Sequence, residues 1–104
     1  MTQVLIEQSK YENVINILKE QAPKFKFGKD EYSDNGNQRC ALGLILSHFG
    51  WDGNRNSDNF FTALYALCKL LEPEKRDLII NFNDDPNTHS FGEVIDFMLG
   101  WGMK

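Results

Sequence analysis

The chain has 104 residues, 41% of them hydrophobic and 25% charged, with a formal net charge of −4. That size fits one domain over residues 1–104 with a single modest core, and the composition excludes extensive disorder. Nucleic-acid binding needs a basic footprint, and the densest basic run (Lys19, Lys24, Lys26, Lys29) is diluted by Glu20, Asp30 and Glu31, so no nucleic-acid partner is expected.

From Val4 to about Glu20, Tyr11, Val14, Ile15 and Leu18 recur at spacings of three and four, which predicts an amphipathic helix closed by Pro23. Phe25-Lys26-Phe27 then alternates with the strand period. Gly28, Asp30, Asp34, Asn35, Gly36 and Asn37 supply turn chemistry, with Asn35-Gly36 a common tight-turn pair. Phe25–Asn37 therefore reads as either a short β-hairpin or an irregular loop. Cys40 to Leu46 is the one run that is apolar on every face, and it predicts a central buried helix over Gln38–Phe49, stopped by Gly50. Gly43 inside it costs roughly 1 kcal/mol against alanine, a cost that often accompanies close approach of a neighbouring backbone.

Asp52–Ser57 is a polar turn, with Ser57 or Asp58 placed to cap the next helix. Phe60, Phe61, Leu64, Leu67, Cys68 and Leu71 give that helix, and Tyr65 broadens its apolar face. Pro73 starts a further short helix through Leu78, Ile79, Ile80 and Phe82, with Glu74 and Asp77 favourable near its N-terminus. After the turn-rich Asn83–Thr88 segment, Ser90 and Glu93 match a capping box that opens a last helix along Phe91, Val94, Ile95 and Met98. The expected fold is all-α: a compact irregular bundle of about five helices around the Gln38–Phe49 helix. Its core is expected to include Leu42, Leu46, Phe61, Leu64, Leu67, Ile79 and Val94.

Cys40 and Cys68 both lie in apolar runs, which points to reduced thiols and a cytoplasmic setting rather than a disulfide framework. The first residues lack the features of a signal peptide, and no run is long enough to span a membrane. No metal is expected, because Cys-x-x-Cys and His-x-x-x-His pairs are absent, and Pro86 interrupts the superficial calcium-loop pattern of Asp84, Asp85 and Asn87. No cofactor is implied.

Cys40 is the sharpest chemical candidate. A thiol in the first turn of a helix, with Arg39 beside it, can have a lowered pKa. His89, oriented by Asp84, Asp85 or Asn83, would complete a Cys-His-Asp/Asn set in the papain chain order, although no protease signature surrounds Cys40. The competing reading makes Cys40 a small core residue and gives Asn83-Asp84 the work of satisfying loop backbone and helix N-termini. His48, about two helical turns beyond Cys40, is too distant to pair with it directly. Trp51, Trp101, Tyr32, Phe25 and Phe27, with Arg39, are candidate binding residues, since aromatics beyond the core favour interfaces.

Arg39-Cys40-Ala41-Leu42-Gly43-Leu44-Ile45, the Asn83-Asp84 pair, Thr88 or Ser90, and Glu93-Val94 together resemble a family of small uncharacterised bacterial and phage proteins. Its members carry a Cys-Ala-x-Gly-Ala-Leu-type helix, an Asn-Asp turn and a Thr-x-x-Glu-Val-type C-terminal helix. The resemblance spans about Gln38 to Met98, and Leu44 departs from it where the pattern has alanine. It implies a helical fold and no biochemical activity. The leading expectation is a non-enzymatic module that binds a protein partner or forms a homo-oligomer. A phage- or defence-related modulator or inhibitor is one version of it. The alternative is a cysteine-dependent hydrolase or transferase using Cys40 with His89.

Overall fold

The computed structural model describes residues 2–33, 36–54 and 56–100, with side chains from Tyr11 onward. Five helices dominate: α1 (Thr2–Gln21), α2 (Ala41–His48), α3 (Asn59–Leu70), α4 (Pro73–Asp84) and α5 (Phe91–Leu99). The all-α architecture with a central apolar helix is therefore the observed one. A short 3-10 turn at Ala22–Lys24 accommodates Pro23 and ends α1.

Helix α2 is the hub. Ala41 to Leu46 are all buried, and α1, α3 and α4 pack around it while α5 closes on α1 and α4. Val14, Ile15 and Leu18 of α1 meet this core, as do Leu67 of α3, Ile79 of α4 and Val94 and Met98 of α5. Phe82 and Phe97 stack nearly parallel, ring centroids 4.3 Å apart, and join α4 to α5. The capping box at Ser90 and Glu93 has both of its hydrogen bonds.

Helix α2 starts three residues later than its apolar run suggests. Gln38–Arg39 is instead a short strand, β2, paired in parallel with β1 (Lys26–Phe27) in the register Lys26↔Gln38 and Phe27↔Arg39. The strand at Phe25–Phe27 thus does not turn back on itself as a hairpin; the chain loops away and returns alongside in the same direction. Ser33 makes an antiparallel bridge with Arg39 on the way. Asp34 and Asn35 of the expected tight turn lie outside the described residues.

At the far end, Gly50 has φ +99°, the Gly50 amide donates to Ser47 O, and the Trp51 amide donates to Leu46 O. This is a Schellman stop, and only glycine adopts that conformation without strain.

The loop between the strands lies directly on the first turns of α2. A Cβ added at Gly43 would sit 2.0 Å from the Tyr32 carbonyl oxygen, so the close approach expected there is made by the loop backbone. Alanine at 43 would gain helix propensity and lose more to the clash. Gly43→Ala should destabilise the fold by about 2–3 kcal/mol in urea unfolding. Gly92→Ala, where the added Cβ meets only Ser90 Oγ at 3.7 Å, should be neutral or stabilising by up to about 1 kcal/mol. An unchanged midpoint for Gly43→Ala would refute the contact.

Candidate functional site

Cys40, Asn83 and Asp84 meet at the N-terminal end of α2. Cys40 is the N-cap, and its Sγ accepts the Gly43 amide at 3.4 Å. Asn83, from the last turn of α4, is 1% exposed. Its Oδ1 accepts the Ala41 amide at 2.9 Å, and its Nδ2 donates to Gly28 O at 3.0 Å and to Asp84 Oδ1 at 3.1 Å. One amide side chain therefore ties the exit of β1, the start of α2 and the end of α4 together. Asp84 Oδ1 also accepts the Asp30 amide at 2.9 Å, and Lys29 Nζ donates to Asp85 O. These bonds hold Asp30 at φ 68°, a left-handed backbone uncommon outside glycine. The structural reading of Asn83 is the one the geometry bears out.

A cavity of about 240 Å³ opens beside this junction. Cys40, Leu42, Ile79 and Ile80 give it a largely apolar lining, and Asp30, Glu31, Tyr32, Asn83 and Asp84 complete it. Cys40 and Asp84 thus share a wall, as the catalytic reading requires. The electrostatics run against that reading. Cys40 is 7% exposed, and its thiol is pushed up to about 11. Burial is the main cause and the Asp84 charge adds to it, while hydrogen bonds from the Gly43 and Leu42 amides oppose it. The expected activation by the helix N-terminus is overturned because desolvation outweighs the amide bonds. His89 is exposed and is not among the residues lining the cavity. Its backbone amide donates to the Glu93 carboxylate at the start of α5. Among the described residues, no group of three or more His, Cys, Asp or Glu side chains is placed to hold a metal ion.

The candidate binding residues are mostly internal. Arg39 is 3% exposed and works as a brace. Its guanidinium donates to Ser33 Oγ at 2.8 Å, Gly36 O at 2.7 Å, Ser47 Oγ at 3.0 Å and Asp52 O at 3.4 Å. It lies 4.3 Å from the Phe25 ring centroid and 5.6 Å from that of Trp51. Both aromatics expected at an interface therefore flank a buried cation instead. Gly53, at φ +93°, leaves room for this, since a Cβ there would come 2.5 Å from Arg39 Nη2. Trp51 is buried and its indole N–H donates to Asn54 O. Phe27 is half-buried, edge-on to Phe91 at 5.2 Å, and Tyr32 is half-buried, 6.2 Å from Phe60. Trp101 lies outside the described residues.

The exposed aromatics are ones the sequence placed inside. Phe61 is 72% exposed and Tyr65 64%, both on α3, and the Cys68 thiol beside them is also exposed. The inward face of α3 is built instead on Ala63 and Leu67. The available signal was an excess of apolar residues: a stripe through Phe60, Phe61, Leu64, Tyr65, Leu67 and Cys68 is wider than one side of a helix can bury.

No family model, curated protein or solved structure matches the chain. Among the described residues, no helix is long and apolar enough to cross a membrane.

Two measurements check the assignments at the α2 terminus. Asn83→Ala leaves the buried Ala41 amide and Gly28 carbonyl without this partner and should cost about 2–4 kcal/mol in chemical unfolding. For the thiols, the neutral form of Cys40 is favoured in the fold. Its contribution is fully present below the ordinary thiol value of 9.0 and is lost as pH rises from there through about 11, a total loss of about 2–3 kcal/mol. Stability should therefore fall over that alkaline window, less so in Cys40→Ala. At neutral pH iodoacetamide should modify Cys68 and spare Cys40 until the protein unfolds, as read by mass spectrometry. Rapid labelling of Cys40 in the folded protein would reverse this view of the site.

Proposed function

We propose that the chain is a small non-enzymatic protein-binding module of the cytoplasm, acting on a protein partner or on another copy of itself. The observation that carries this reading is the outer face of α3, where Phe61 and Tyr65 are 72% and 64% exposed. Large aromatics fixed on a helix and open to water are the residues that dominate binding energy when an interface covers them. Phe61 is propped edge-on against Phe60 at 5.5 Å, and Lys69 Nζ sits 4.6 Å over the Tyr65 ring, so the face is ordered before anything binds. A modulator or inhibitor of phage or defence type is a narrower version, and it rests on the resemblance at Arg39–Ile45 and Asn83–Val94 alone. The burial of Cys40 and the upward shift of its thiol favour this reading over a cysteine-dependent hydrolase or transferase using Cys40 with His89.

Phe61→Ala combined with Tyr65→Ala removes the face without touching the core. Light scattering over a concentration series and pull-down from extract should detect association of the parent protein. The double variant should weaken it by about 2 kcal/mol or more at each dominant residue. A parent protein that stays monomeric and retains no partner would sink the reading.

A further inference from the structure

The order of charges along α3 says what covers its aromatic face. Asp58, at the N-cap position, and Lys69, in the last turn, are both exposed and stand eleven residues apart. At 100° per residue they lie within about 20° of one another around the helix and about 16 Å apart along it. Thr62 and Tyr65 fall between them on the same line, and Phe61 and Cys68 flank it on one side. The chain as a whole carries a net charge of −4, but Asp58 and Lys69 balance one another along this line, with Arg76 at its edge donating to Cys68 Sγ at 3.2 Å. An acid at one end, a base at the other and aromatics between make a surface complementary to its own copy turned end for end. With a two-fold axis between Thr62 and Tyr65, Asp58 of each copy meets Lys69 of the other. Phe61 of each copy then comes beside Tyr65 of the other, and the two helix dipoles run antiparallel. No cap is spent in this pairing, since the Asp58 side chain makes no capping hydrogen bond within its own chain.

We propose that the protein forms a two-fold dimer through antiparallel pairing of α3 with α3 of a second copy. The inference rests on the reading of this face as a binding surface and names its occupant. The twelve residues of α3 span about 18 Å, so the pairing is a small and reversible one.

Charge exchange tests it. D58K and K69D each set like charges against each other in the homodimer, and each should raise the dimer dissociation constant at least tenfold in sedimentation equilibrium. An equimolar mixture of the two variants restores both opposite-charge pairs, as does the double variant D58K/K69D, and each should return to within about threefold of the parent. Circular dichroism confirms that every variant is folded. A parent protein that stays monomeric into the millimolar range overturns the proposal. So do single variants that dimerise as well as the parent, or a mixture no tighter than its components. If the parent is monomeric but captures another protein and loses it on Phe61→Ala/Tyr65→Ala, self-pairing fails while the face remains a binding surface. If the parent dimerises and that double variant does so equally well, both claims about the face fail.

Discussion

A helix that is apolar on every side and buried from its first residue through Leu46 has an N-terminal end that cannot turn to water. The first amides of α2 must find acceptors inside the protein, and much of the architecture depends on how they do so. Cys40 Sγ takes the Gly43 amide, Asn83 Oδ1 takes the Ala41 amide, and the Tyr32 carbonyl takes the Cys40 amide at 3.4 Å. Each acceptor comes from a different part of the chain, so satisfying one helix end fixes the positions of the strand loop and of α4. The thiol is chemically quiet for the same reason: the burial that makes Cys40 a useful cap also disfavours its charged form.

Arg39 extends this logic from the helix end to the loops. Its guanidinium gathers backbone and hydroxyl oxygens from segments on both sides of α2, and Phe25 and Trp51 cover its faces. A charge this deeply placed is tolerated only when its donors are used, and the loops supply the acceptors. Residues that look like an exposed recognition set by type alone are therefore the internal fastening of the Gly28–Asp52 region. The outward surface falls to α3 by default, because α3 carries more apolar residues than its packing against α2 and the neighbouring loops can cover.

What was legible in the residues was whatever depends on local periodicity and local chemistry. The helices, the Gly50 stop and the Ser90–Glu93 capping box are set by neighbouring positions, and Gly43 marks a close approach without showing that Tyr32 makes it. What was not legible depends on contacts between distant ones. A parallel pairing of Lys26–Phe27 with Gln38–Arg39 leaves no turn signature of the kind a hairpin has, since its register is set by how the loop lies on α2. The apolar count around α3 was visible, but the choice of inward side was not. Phe61 is larger than Ala63, yet it is the small residue that faces the core. The Cys40 environment is hidden for a similar reason: position in a helix is a local property, and the depth at which the helix sits is not.

The Asn83 tether also sets an order of events during synthesis. Eight residues are too few for α2 to persist by itself in water, and its apolar sides need α1, α3 and α4 to cover them. The acceptor for the Ala41 amide lies 42 residues further on, at the end of α4. As the chain leaves the ribosome, the segment destined to be the centre of the protein is therefore made well before it can be secured. In the interval its run from Cys40 to Leu46 is the stretch of nascent chain most in need of a chaperone's shelter.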